Sequence, residues 1–112
     1  MNFTNATDSV NIREAFEVYL EPYKYIANEY AEDNGSITLT LIDMPVMDNG
    51  KNKDEALTNL AKYILAHAQL YFERRDWAFS NCISEFPYVL KAVILNDIEK
   101  IKELIICRPG KI

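Results

Sequence analysis

The strongest constraint on this chain is a stripe of apolar residues recurring every three or four positions: Ala56, Leu57, Leu60, Ala61, Ile64, Leu65, Ala68, Tyr71 and Phe72. That period belongs to an α-helix with one buried face. Asn52 stands just before it and Glu55 three residues later, an asparagine form of the capping box that satisfies the first free N–H groups of a helix. The spacing predicts a helix from about Lys53 to about Arg75, roughly 34 Å long at 1.5 Å per residue. An apolar stripe of that length needs a sheet or another helix to cover it, and 112 residues supply one core rather than two.

The covering element is expected upstream, where the period changes to two. Tyr23, Tyr25, Ala27 and Glu29 alternate with Lys24, Ile26, Asn28 and Tyr30; after Asp33-Asn34-Gly35, Ile37, Leu39 and Leu41 alternate with Thr38, Thr40 and Ile42. These are two antiparallel strands, about 23–32 and 36–43, joined by a type I′ turn at Asn34-Gly35. Pro45 breaks the ladder, and Val46-Met47 form a short third strand before a second turn at Asn49-Gly50. Before the sheet, Ile12, Phe16, Tyr19 and Leu20 predict a short helix capped by Ser9 or Asp8 and stopped at Glu21-Pro22.

Beyond the long helix, residues 76–87 read as an aromatic-rich loop. The apolar, β-branched run Tyr88–Leu95 reads as a buried strand. Asn96 or Asp97 then caps a last helix carrying Ile98, Ile101, Leu104 and Ile105, ended by Pro109-Gly110. The order α, β, β, short β, long α, β, α predicts an α+β domain: a small antiparallel sheet under a long covering helix, with short N- and C-terminal helices.

Composition narrows the function. The chain is 49% hydrophobic and 26% charged, with a net charge of −5, and this profile describes a folded protein rather than a disordered one. Residues 1–50 hold two basic side chains against nine acidic ones, whereas residues 51–112 hold ten basic against eight acidic. An acidic first half repels phosphate backbones and suits a basic protein partner. Met1-Asn2-Phe3-Thr4-Asn5 lack the features of a signal peptide, and no apolar run spans a bilayer, so a cytoplasmic protein without membrane attachment is expected. Cys82 and Cys107 have neither CxxC spacing nor partner histidines, which argues against a disulfide framework or a zinc site.

Chemistry has no evident carrier. His67 is the only histidine and falls on the flank of the long helix's stripe, where a boundary position explains it. The three glycines form no phosphate-cradling loop, and the carboxylates Glu32, Asp33, Asp43 and Asp48 read as turn residues. No metal or cofactor is therefore expected. The aromatic residues Tyr71, Phe72, Trp77, Phe79, Phe86 and Tyr88 suit a protein-docking surface, core packing being the alternative for about half of them.

Two stretches resemble a known family. Gly35-Ser36-Ile37-Thr38-Leu39-Thr40-Leu41, followed by Asp48-Asn49-Gly50-Lys51-Asn52-Lys53-Asp54-Glu55-Ala56-Leu57, is similar to the antitoxins of RelE/RelB-type toxin–antitoxin systems. It is similar also to the wider HicB-like group, with its NGxTxxEA-type step into a long helix. Pro87–Ala92 and Asn96–Arg108 resemble that family's closing strand and helix. The resemblance implies a β-β-β-α-β, partial RNase H-like fold without nuclease carboxylates, spanning 23–112 after a polar tail and short helix at 1–22. It implies a non-enzymatic antitoxin that binds and neutralises a basic toxin, typically an mRNA-cleaving nuclease. The chain departs from the family in two places. The Phd/YefM-type DNA-binding region shrinks to the helix around Ile12–Leu20, so direct nucleic-acid binding is not expected. Cys82 and Glu85-Phe86 stand where a basic residue and a histidine are expected before Pro-Tyr-Val. The expected toxin contacts are Tyr71, Trp77, Phe79, Phe86, Tyr88, Ile101, Ile105 and Arg108, and pairing of open sheet edges predicts a homodimer. The alternatives are an interaction module with a non-toxin partner, or an enzyme with a pocket around Tyr63, His67 or Asp43.

Overall fold

The computed structural model describes residues 6–110. Helix α1 (Ala6–Leu20) leads into β1 (Tyr25–Ala31), β2 (Ile37–Leu41) and β3 (Met47–Gly50). Then come the long helix α2 (Lys53–Glu73), α3 (Arg75–Asn81), a 3-10 turn (Ile83–Glu85), α4 (Phe86–Leu95), α5 (Ile98–Leu104) and β4 (Ile105–Pro109). The four strands form one sheet in the order β3-β2-β1-β4, antiparallel except that β4 lies parallel to β1. This is the α+β class expected, with α2 laid on one face of the sheet.

The core forms where two periods meet. From the sheet, Tyr25, Ala27, Leu39 and Leu41 point inward at every second position; from α2, Ala56, Leu60, Ala61, Ile64, Ala68 and Tyr71 point back at every third or fourth. Val89 and Ala92 of α4 and Ile101 of α5 close it from the sides. The predicted cap is present: Asn52 Oδ1 accepts from the Glu55 N–H at 2.9 Å. Asp97 caps α5 in the same way, accepting from the Lys100 N–H at 3.1 Å, while Asn96 instead ends α4 in the left-handed region at φ 43°.

The hairpin differs from the expected type I′ turn. Glu32 N–H donates to the Ser36 carbonyl and Gly35 N–H to the Glu32 carbonyl, both at 2.9 Å, and Gly35 alone in the loop has positive φ. This is a three-residue loop built on a type I turn with a left-handed glycine. Asn34 keeps negative φ and uses its side chain to accept from the Ser36 N–H at 3.0 Å. Asn49-Gly50 is not a turn either; it pairs with Thr38 and Ile37 as the end of β3.

The largest corrections fall after α2. Residues 76–87 form a short helix and a 3-10 turn instead of a loop, and 88–95 are helical instead of a strand. Pro87 occupies the first turn of α4, where its missing N–H costs nothing. Val89 and Ala92 then bury a face at helical spacing. The last helix stops at Leu104, and Ile105–Pro109 become the strand beside β1, with Ile105 and Cys107 turned towards the core. At the other end, α1 starts at Ala6, so the proposed caps Asp8 and Ser9 fall inside it; it ends before Glu21-Pro22 as expected.

Tyr25 links sheet to helix: its buried hydroxyl donates to the Tyr88 carbonyl at 2.7 Å. Burial pushes its phenol well above the ordinary value of 10.0. A group whose folded-state pKa is raised gives stability that is complete below its unfolded pKa and lost as pH climbs towards the folded one. Urea unfolding across pH 7 to 11 should therefore show stability falling above about pH 10. Tyr25→Phe should cost about 1 kcal/mol at pH 7 by losing the bond from the buried hydroxyl to the Tyr88 carbonyl, and should make the alkaline decline shallower.

Candidate protein-interaction surface

The C-terminal end of α2 carries the expected aromatic residues, and the helical geometry of 75–85 sorts them. Tyr71, Phe72, Phe79 and Phe86 close a ring of four aromatic side chains with centroid separations of 5.6, 6.0, 6.2 and 5.6 Å, in tilted or edge-on arrangements. Tyr71 is buried, and its hydroxyl donates to the Cys82 carbonyl at 3.0 Å, fastening the 3-10 turn onto α2. Trp77 projects from α3 at 62% exposure. Leu70 lines the same cleft as Trp77, and Leu70, Phe79 and Ile83 of this region are exposed too.

Beneath this rim lies a cleft of about 90 Å³ lined by His67, Tyr71, Arg74, Trp77, Cys82 and Glu85, among others. Among the described residues Glu85 is the buried charged one, and its Oε1 sits 2.7 Å from His67 Nε2 on α2. Sequence spacing placed His67 at a boundary and gave no hint of Glu85, eighteen residues away and read as loop. The pair ties the turn before α4 to the long helix. Burial, and then the adjacent Glu85 carboxylate, push the Cys82 thiol up from its ordinary range, so it stays protonated and poorly suited to nucleophilic attack. The same two causes raise Tyr71.

The remaining expected contacts do not join this surface. Tyr88 packs edge-on against Tyr23 at 5.5 Å, at the junction of α1 and α4. There Lys91, missed by the sequence reading, donates to the Tyr23 carbonyl at 3.0 Å and the Leu20 carbonyl at 3.4 Å, neutralising the end of α1. Ile101 is fully buried under α2, and Tyr71 nearly so, so both hold the core together instead of presenting a surface. Ile105 is half-buried on β4, and Arg108 lies on that strand's opposite face, its Nε donating to Asn28 Oδ1 at 2.8 Å. Among the described residues no helix is long and apolar enough to cross a membrane, and no group of three or more His, Cys, Asp and Glu side chains is arranged to hold a metal ion.

Comparison with known proteins agrees with this architecture. A crystal structure from Syntrophomonas wolfei subsp. wolfei, described as an antitoxin part of a candidate toxin/antitoxin system, superposes with a TM-score of 0.79. The match covers 88% of this chain and 72% of that one at 22% sequence identity, a likeness of fold. No curated protein matches the chain significantly. Residues 3–107 match the family described as Phd-like, antitoxin of toxin–antitoxin, RelE/RelB, TA system. The chain belongs to this family of antitoxins of RelE/RelB-type toxin–antitoxin systems.

Proposed function

We propose that the chain neutralises a basic, mRNA-cleaving toxin by direct protein contact, without catalysing a reaction and without binding nucleic acid itself. The observation that carries this reading is the apolar rim at the end of α2. Trp77 and Ile83 are about three-fifths exposed and Leu70 and Phe79 more than two-fifths, in a region whose Tyr71, Phe72 and Phe86 are packed inward. Tryptophan over a desolvated cleft is the arrangement that dominates binding energy at protein interfaces. The acidic first half of the chain would speed encounter with a basic partner. Cytoplasmic location follows from that target, and the protein works as a homodimer.

Exchanging Trp77 and Phe79 together for alanine should weaken toxin binding by roughly 100-fold or more, as loss of interface anchors does. The far-ultraviolet circular dichroism should be kept, because both side chains are exposed. Titration calorimetry with the product of the adjacent gene measures the first; unchanged affinity in a folded double variant would remove the α3 rim from the interface.

A further inference from the structure

Asn-Gly occurs twice in this chain, at Asn34-Gly35 and at Asn49-Gly50. The dipeptide is prone to a reaction with itself, because glycine has no Cβ to keep its nitrogen away from the asparagine side-chain carbonyl. The glycine nitrogen attacks Cγ, ammonia leaves, and water opens the succinimide that results. Both pairs carry this chemistry and their surroundings differ, so the fold decides which of them reacts.

Asn34 is exposed at the hairpin tip, as are Glu32, Asp33 and Gly35 beside it. Its Oδ1 accepts two hydrogen bonds from one residue, the Ser36 N–H at 3.0 Å and the Ser36 hydroxyl at 2.6 Å. The first closes a ring that includes the Gly35 nitrogen, folding the side-chain amide back towards it. Both donors aim at the oxygen on which negative charge develops as Cγ becomes tetrahedral, the arrangement that stabilises an oxyanion. The direction of the hydroxyl is fixed in turn: Asn49 Nδ2 donates to Ser36 Oγ at 3.0 Å, which leaves the Ser36 proton for Asn34. Space around Gly35 is open, and the bond that has to yield is the one from its N–H to the Glu32 carbonyl. Asn49 is placed the other way. It pairs with Thr38 in the ladder, its N–H donates to Asp48 Oδ1 at 2.8 Å, and its carbonyl accepts from Asn59 Nδ2 of α2 at 2.9 Å. Its Nδ2, the atom that has to leave, is bound to the Ser36 and Thr38 hydroxyls, and Gly50 is buried against the first turn of α2 with no room to turn.

We propose that Asn34 is a self-modification site: the Asn34-Gly35-Ser36 loop converts itself in water to aspartate or isoaspartate at position 34, with Ser36 as the oxyanion donor, while Asn49 is spared. In the first step hydroxide takes the Gly35 amide proton, the bond from the Gly35 nitrogen to Asn34 Cγ forms, and the Cγ–Nδ2 bond breaks as ammonia departs with a proton from water. In the second step water adds to one carbonyl of the succinimide. Breakage of the nitrogen's bond to Cγ gives aspartate, and breakage of its bond to the main-chain carbon gives isoaspartate; nothing is oxidised or reduced. Isoaspartate adds one carbon to the main chain inside the loop that joins β1 to β2, and either product adds a carboxylate beside Glu32 and Asp33. Loop length and turn geometry set the register of a hairpin, so the β1–β2 connection loosens as the molecule ages.

Peptide mass mapping of the full chain after incubation at neutral pH, with enzymatic methyl labelling of isoaspartate, tests this independently of any toxin. In the folded protein position 34 should convert at least roughly tenfold faster than position 49, which reacts only after the ladder around it opens. In urea the two rates should converge, since both residues precede glycine. Ser36→Ala, at a partly exposed loop position, should keep the fold by circular dichroism and slow conversion at position 34 by roughly fivefold, about what one hydrogen bond that strengthens with the developing charge supplies. That slowing should vanish in urea, which separates the folded geometry of Ser36 from a plain effect of sequence. Equal conversion at positions 34 and 49 in the folded chain, or a folded Ser36→Ala variant that converts at position 34 as fast as the wild type, would overturn the proposal.

Discussion

Gly50→Ala should destabilise the fold by about 3 kcal/mol or more, the largest effect expected of any single methyl group added to this chain. Gly50 ends β3 against the first turn of α2. A Cβ there would stand 2.3 Å from the Ala56 nitrogen and 2.7 Å from both the Ala56 Cα and the Glu55 carbonyl carbon. All three are backbone atoms, and they cannot yield without opening the helix start. Asn52 accepts from the Glu55 N–H with its side chain and from the Ala56 N–H with its carbonyl at 3.0 Å, so movement of the turn breaks the cap as well. Conformational freedom is not the reason, since Gly50 does not adopt positive φ. Gly35 makes the contrast. It has φ +86° and open space around it, so Gly35→Ala should cost only about 1 kcal/mol, from backbone strain alone. Urea midpoints of the two variants measure the difference; equal losses would mean that the β3–α2 contact is looser than described.

Ile64→Ala should cost about 3–4 kcal/mol. Ile64 is fully buried at the middle of the α2 stripe, facing the sheet, and the shortened side chain leaves a cavity that neither rigid layer can collapse to fill. Its neighbour Tyr63, about 100° round the helix, is 45% exposed, and Tyr63→Ala should move stability by no more than about 0.5 kcal/mol. Thermal unfolding of the pair tests whether α2 presents one face to the sheet. Similar losses at both positions would contradict the orientation of the helix.

These two sites lie where sequence and structure agree most closely, for a physical reason. The stripe from Ala56 to Phe72 and the alternation of Tyr25, Ala27, Leu39 and Leu41 each bury one face and expose the other, so their periods survive in the amino-acid order. The cap at Asn52 is a local interaction within four residues and was equally legible. Legibility is lost where an element is apolar on several sides or where a non-local contact decides. Phe86–Leu95 packs against α2 and approaches α1, and it is apolar at nearly every position, with β-branched Val89, Val93 and Ile94 that mimic a strand. Ile105–Pro109 continues the apolar spacing of α5, and its strand conformation is chosen by β1, about eighty residues earlier.

The same distinction separates the parts of the candidate surface. The density of aromatic residues in 71–88 suggested it, and Trp77 and Phe79 are exposed there. Sorting inward from outward side chains needed the helical geometry of α3, which turns Phe79 and Phe86 into one ring cluster with Tyr71 and Phe72. Ile101 and Tyr71 were chosen for their chemistry and turn out to be buried. The Glu85–His67 pair had no local signal, because its members are brought together only when the 3-10 turn folds back on α2.

The central claim is that this member of the antitoxin family silences a toxin by holding it through the α3 rim. Co-expression with the product of the adjacent gene tests it most directly, with growth and co-purification scored together. The account predicts that the neighbour alone arrests growth, that the wild-type chain restores it in a stable complex, and that the Trp77→Ala, Phe79→Ala variant, although folded, does neither. A neighbour that leaves growth unaffected, or a toxic one that the wild-type chain neither binds nor relieves, would contradict it.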